Sequence, residues 1–169
     1  MKHFERSLPM MLYRTLDVVM PSFRRIFKEF GLTEQQWRVL RVLWERDGCV
    51  LSELAEATLI PAPSLVGILD RLERNGMLTR RRSKSDRRKV HIFVSREGKE
   101  LEQQVSPKVD EAYAELEASI DSAQWAQLLH AMDRLIEQAQ RPDSTSSSTA
   151  ALQDRKRAQA YRRSATTKS

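Results

Sequence analysis

The sequence predicts a mainly α-helical fold carrying one small β-hairpin, and three observations predict it. Apolar side chains recur at three- and four-residue steps through most of the chain, the spacing that gathers them on one face of a helix. One stretch, Val90-His91-Ile92-Phe93-Val94, instead alternates β-branched residues as a strand does. Between these patterns, residues 71 to 99 hold eleven Lys/Arg against three Asp/Glu, although the whole chain of 169 residues carries a net charge of only +6. A focused basic segment of this kind attracts polyanions.

In chain order, Leu8, Met11, Leu12, Leu16, Val19, Phe23, Ile26, Phe27 and Phe30 mark a first amphipathic helix, with Pro21 as a possible kink and Gly31 as its stop. Thr33-Glu-Gln-Gln36 opens a second helix with a capping box, and Trp37, Leu40, Leu43 and Trp44 form its inward side. It ends at Asp47-Gly48, and a short helix follows from about Ser52 to Thr58. Pro61-Ala62-Pro63 fixes an extended entry to a fourth helix that stops at Gly76. Residues 77 to 82 and 90 to 94 then pair as a hairpin around the polar basic loop 83 to 89. Ser95 caps a long helix with the ladder Leu101, Val105, Val109, Ala112, Leu116 and Ile120, and a last helix shows Trp125, Leu128, Leu129, Met132, Leu135 and Ile136. From Pro142 the chain turns Ser/Thr-rich and basic with almost no large apolar side chain, which predicts a disordered tail.

Three helices followed by a basic hairpin are the order of a winged helix-turn-helix, whose last helix of the triad lies in the DNA major groove. On a helical wheel Leu65, Leu69 and Leu72 share one side of the fourth helix, facing the core. Opposite them lie Pro63, Ser64, Gly67, Arg71 and Arg74, with Ile68 at the margin. Such a face lets backbone approach base edges, while Ser64 and Arg71 can bond a base or phosphate. In the hairpin, Lys84, Arg87, Arg88 and Lys89, with the arginines of 80 to 82, surround a single acid, Asp86. One carboxylate among so many cations suits a positioning group that extends Arg88 toward a minor groove; an Asx turn at the loop tip is the other reading.

Other function classes find little here. No run of 18 apolar residues exists, and charges and a proline interrupt the N-terminal MKHFERSLPMM, so a soluble, cytoplasmic protein is expected. One cysteine, Cys49, and three histidines make neither a disulfide framework nor a metal cluster, so no metal or cofactor is expected. No glycine-rich phosphate loop is present. No nucleophile-base pair stands out, and the polar groups at 34 to 36 and 95 to 98 serve as helix caps, so an enzyme is not expected.

The stretches Thr33-Glu-Gln-Gln-Trp-Arg-Val-Leu-Arg-Val-Leu, Ile60-Pro-Ala-Pro-Ser-Leu-Val-Gly-Ile-Leu-Asp-Arg-Leu-Glu-Arg-Asn-Gly-Met-Leu and Asp86-Arg-Arg-Lys-Val together resemble the MarR family of transcriptional regulators. Within it they are most similar to the branch that represses aromatic-compound degradation operons of the homoprotocatechuate type. The resemblance spans roughly residues 7 to 140. It implies a homodimer that represses by binding a palindromic operator and lets go when a small aromatic acid or phenol binds, with the N- and C-terminal helices interlocking as the dimer. The apolar stripes of the outer helices agree, because they exceed what a three-helix domain can cover.

The organisation expected is a dimerisation helix over 1–30, a winged helix-turn-helix over 31–95, C-terminal dimerisation helices over 96–141 and the basic tail over 142–169. The resemblance places the effector pocket where dimerisation helices meet the winged domain. An anionic aromatic ligand there needs an arginine, a hydroxyl and an apolar wall, which makes Ser7, Arg14, Trp37, Arg38 and Arg41 the candidates. Each has an ordinary alternative: Trp37 as core, and the arginines paired with acids such as Asp17 or Glu45. Two alternative functions stay open, an architectural DNA binder without effector and an oxidant sensor using Cys49.

Overall fold

The structure is a computed structural model that describes residues 3–83, 86 and 89–140. A 3-10 turn at Phe4–Arg6 leads into α1 (Leu8–Glu29), α2 (Glu34–Glu45), the two-residue β1 (Cys49–Val50), α3 (Leu51–Thr58), α4 (Ala62–Arg74), β2 (Leu78–Arg82), β3 (Val90–Val94), α5 (Arg96–Ala118) and α6 (Ser122–Gln140). The chain divides after Ser119 into two compact units, so α6 stands in a unit of its own.

The predicted hairpin is part of an antiparallel sheet ordered β1-β3-β2, with Leu78 opposite Val94, Arg80 opposite Ile92 and Cys49 opposite Ile92 on the other edge. β1 had no signal in the sequence, because two residues are too few to show alternation. Its turn depends on Gly48, which sits at φ 80° with the Phe93 ring so close that a Cβ would lie 2.9 Å from it. Asp47 fastens the same turn: its Oδ1 accepts from the Val94 N–H at 2.8 Å and the Gly48 N–H at 3.1 Å.

Local chemistry sets the helix boundaries. The Thr33 hydroxyl accepts from the Gln36 N–H while the Gln36 side chain accepts from the Thr33 N–H, a reciprocal cap worth about 1 kcal/mol. Ser95 Oγ accepts from Gly98 N–H and donates to Gly76 O, so one hydroxyl starts α5 and closes the turn after α4. α1 runs unbroken through Pro21.

The core gathers Leu40 and Leu43 of α2, Leu54 of α3, Leu65, Ile68, Leu69 and Leu72 of α4, Leu78 and Ile92 of the sheet, and Val105 of α5, all nearly inaccessible to solvent. Fully burying each such side chain contributes about 1.5–3 kcal/mol before entropy is counted. Only the C-terminal half of α1 joins them. Phe23 and Phe27 are buried, Phe27 stacks on Trp37 at 4.8 Å, and Trp37 meets Trp44 edge-on at 5.4 Å. Trp44 Nε1 then donates to Gly98 O at 3.1 Å, which ties α2 to the start of α5. The N-terminal half of α1 is different: Leu8, Met11, Leu12, Tyr13, Leu16 and Val18 are all exposed. Taken by itself, α6 also exposes Leu128, Leu129, Leu135 and Ile136.

Candidate nucleic-acid interface

α4 is placed by its apolar side and offers what remains. Leu65, Ile68, Leu69 and Leu72 are buried, and Pro63, Ser64, Gly67, Arg71 and Arg74 are exposed. Five of the six α4 residues expected to meet DNA are therefore on the outer face. Ile68 is not: at 1% exposure it belongs to the core, because α4 packs against α2, α3 and β2 at once and the buried arc is wider than the wheel allowed. Val66 is the reverse case, 43% exposed although it lies outside the arc first assigned to the outer face.

Basic side chains continue from α4 onto the sheet. Arg71, Arg81, Arg82 and Lys89 are exposed and make no ion pair among the described residues. The Arg81 guanidinium lies 5.1 Å from the centre of the Phe93 ring, which aligns it along the strand. Arg74 donates from Nε to its own helix at Asp70 O, 3.3 Å away.

Arg80 breaks the pattern. Its guanidinium reaches Asp70 at 2.6 Å and Glu73 at 3.6 Å, and its backbone N–H donates to Glu73 Oε1 at 3.2 Å. It ties the wing to α4 and is spent internally. At the wing tip the Asp86 N–H donates to Ser83 Oγ at 3.3 Å, and the Lys89 N–H donates to Asp86 O at 2.9 Å. Lys84, Arg87 and Arg88 lie outside the described residues, as does the tail from 141 onward.

The five effector candidates lie on two elements, Ser7 and Arg14 at the start of α1 and Trp37, Arg38 and Arg41 on α2. Ser7 precedes α1 and donates to Phe4 O at 2.7 Å, and Arg14 lines a shallow cleft with Glu5, Arg6, Met11 and Thr15. Trp37 is 8% exposed within the aromatic stack. Arg41 pairs with Glu45 at 3.0 Å, the ordinary alternative for that residue. Arg38 donates to Thr58 O at 3.1 Å and lies 3.6 Å from Glu34, while its buried Nε has no hydrogen-bond partner among the described residues. A cleft of about 290 Å³ between α1 and α5, lined by Ser22, Arg25, Ile26, Glu29, Lys108 and Glu111 among others, escaped the sequence reading because its walls come from distant parts of the chain, Glu29 and Lys108 being 79 residues apart. There Lys108 Nζ bonds Glu29 at 2.5 Å.

Cys49 is a buried thiol. Its side chain is 6% exposed and its thiol donates to Arg46 O at 3.0 Å. Burial above all, then the carboxylate of Glu53, pushes the thiol pKa up despite Arg46, the surroundings of a structural cysteine rather than of a reactive thiolate. Among the described residues no His/Cys/Asp/Glu group could hold a metal, and no helix is long and apolar enough to cross a membrane.

Fold and face together define a winged helix-turn-helix DNA-binding regulator. Residues 32–90 match the MarR family model. Over 130 residues the chain is 37% identical to the homoprotocatechuate degradative operon repressor of Escherichia coli, an alignment that covers 77% of this chain and 88% of that one. The structure of NadR in complex with 4-hydroxyphenylacetate matches with a TM-score of 0.70 at 31% identity, over 84% of this chain and 99% of NadR. The transcriptional repressor CouR bound to a 23-mer DNA duplex matches with a TM-score of 0.73 at 26% identity, over 80% of this chain and 98% of CouR. The chain belongs to the MarR family, and it is a transcriptional regulator rather than an enzyme.

Proposed function

We propose that this regulator is a cytoplasmic homodimer that represses an aromatic-compound degradation operon, of the homoprotocatechuate or 4-hydroxyphenylacetate type, and leaves its palindromic operator when a small aromatic acid or phenol binds. The observation that carries this reading is the outward face of α4, small and hydroxyl-bearing at its start and cationic at its end, set beside an exposed basic wing. Relatives support the chemistry: the Escherichia coli protein is named for a homoprotocatechuate operon, and NadR is seen with 4-hydroxyphenylacetate.

The exposed apolar stripe on the first half of α1 supports the dimer, since apolar area of this length is seldom left to water. Two copies present two α4 helices to half-sites about one helical turn apart. For the effector carboxylate we favour Arg38 among the five candidates, because it retains an unused donor. Pro63, Ser64, Gly67, Arg71 and Arg74 meet the major groove, and Lys84, Arg87, Lys89 and Arg88, the last positioned by Asp86, meet the flanking backbone and minor groove.

The test is fluorescence anisotropy with the intergenic DNA beside the regulator's own gene, titrated with 4-hydroxyphenylacetate, 3,4-dihydroxyphenylacetate, salicylate and benzoate. Expected are preference for that duplex over random sequence by about a thousandfold at physiological salt, and release by at least one acid. Similar affinity for all sequences with no acid effect would replace the repressor with the architectural DNA binder.

A further inference from the structure

The first half of α4 is nearly devoid of groups that read bases by hydrogen bonding. From Ala62 to Gly67 the outward side chains are Ala62, Pro63, Ser64 and Val66, and only Ser64 is a donor or acceptor. The long readers of base edges, asparagine, glutamine, lysine and arginine, are absent until Arg71. What this half-helix offers instead is apolar surface. Val66 is 43% exposed on a helix whose other large aliphatic residues are buried at 2% or less. With Leu51, Leu69, Val90, Ile92 and Arg80 it lines a shallow, mostly apolar crevice of about 210 Å³, so the patch is more than one stray methyl group.

Gly67 adds an independent observation. A Cβ built there would meet nothing within 4 Å, so packing inside the protein does not require glycine. A mid-helix glycine nonetheless destabilises a helix relative to alanine. A residue that costs helix stability and relieves no internal crowding leaves room for something outside the protein, next to Val66 and Pro63. The occupant's class follows from the charge nearby in the fold: Arg71 of the same helix and Arg81, Arg82 and Lys89 of the wing are exposed cations without an ion pair among the described residues, the complement of a phosphate backbone. In the major groove of a duplex the one apolar group is the thymine 5-methyl.

We infer that Val66, with Ala62 and Pro63, reads thymine methyl groups, so that each operator half-site carries thymine where α4 enters the groove. This rests on the DNA-binding reading above and specifies which bases it prefers. Gly67 lets the helix axis come close enough for contact, and Ser64 supplies the single polar reading at that end.

Duplexes enriched from a random 24-base-pair pool by the full-length protein provide the probe, and each thymine is then exchanged singly for deoxyuridine, which removes only the methyl. Enriched half-sites should share thymines at fixed positions, and exchange at those positions should weaken binding about fourfold each, the effect of one buried methyl-sized group. In Val66→Ser, which leaves no methyl at that side chain, exchange at the position that Val66 contacts should cost less than twofold, while exchange at the positions that Ala62 and Pro63 contact keeps its effect. If deoxyuridine leaves affinity within twofold at every position while the protein still binds duplex in a salt-dependent way, the methyl reading is overturned and the regulator reading stands. If no duplex is enriched or retained even at low ionic strength, both fall together.

Discussion

Gly67 and Cys49 show how single side chains separate what the fold needs from what a partner needs. Gly67→Ala should stabilise the isolated protein by about 1 kcal/mol, since alanine is the better helix former and its Cβ meets open space. The same change should weaken duplex binding, because the added carbon occupies the side from which DNA approaches. Thermal melting and anisotropy on one preparation check the opposite signs, and a fall in both would return Gly67 to the core. For Cys49 the folded-state pKa lies above the ordinary thiol value, so the folded protein holds the proton more tightly than the unfolded chain. The resulting stability is fully present below the ordinary thiol pKa and is lost as pH rises through the folded value. Iodoacetamide should therefore leave Cys49 unmodified at pH 7 and label it readily in urea, while the urea midpoint falls in the alkaline range for the wild type but not for Cys49→Ala.

Between elements, the tie from wing to α4 is the contact with most bearing on function. Arg80 holds β2 to Asp70 and Glu73, yet both carboxylates are well exposed, so Arg80→Met should cost only about 1 kcal/mol or less in stability. It should reduce operator affinity by a larger factor, because the wing would no longer keep its angle to the helix. Arg81→Ala should act differently, lowering affinity for all duplexes alike and reducing the salt slope by about one unit. Measuring log affinity against log salt for both variants separates a lost brace from a lost phosphate contact; equal slopes and equal losses would refute the assignment of Arg80 as a brace.

The elements also show why the sequence could be read as far as it was. Thr33, Gln36 and Ser95 announce helix starts because the bonds they make span only three residues. Gly31, Gly48 and Gly76 mark stops, and all three have positive φ. Long-range pairings leave no such trace. β1 exists because Cys49 finds Ile92, Arg80 turns inward because Asp70 and Glu73 happen to face it, and Ile68 is buried because three elements close over α4. The outer face of α4 was legible because it follows from helical period alone, whereas the effector candidates had no period to follow.

For the molecule as a whole, α1 is divided: Phe23 and Phe27 complete the core, while Leu8, Met11, Leu12 and Leu16 face outward. Leu16→Glu places a charge in that stripe without touching the core. Sedimentation velocity should find wild-type protein at twice the mass of the variant, and the variant should lose operator affinity because one α4 cannot hold two half-sites. A wild type that sediments as a single chain would remove the dimer from the proposal.

The stack of Phe27, Trp37 and Trp44 ends on Gly98, where the backbone is so close to Met77 and Val94 that no Cβ would fit. Two of the chain's three indoles are thus fixed at the seam joining α1 and α2 to the root of the wing, and the third, Trp125, stands on α6. With Trp125 exchanged for phenylalanine, indole emission, excited where tyrosine does not absorb, would come from that seam alone, giving the protein an intrinsic optical gauge of any rearrangement that reaches the wing, with no dye attached.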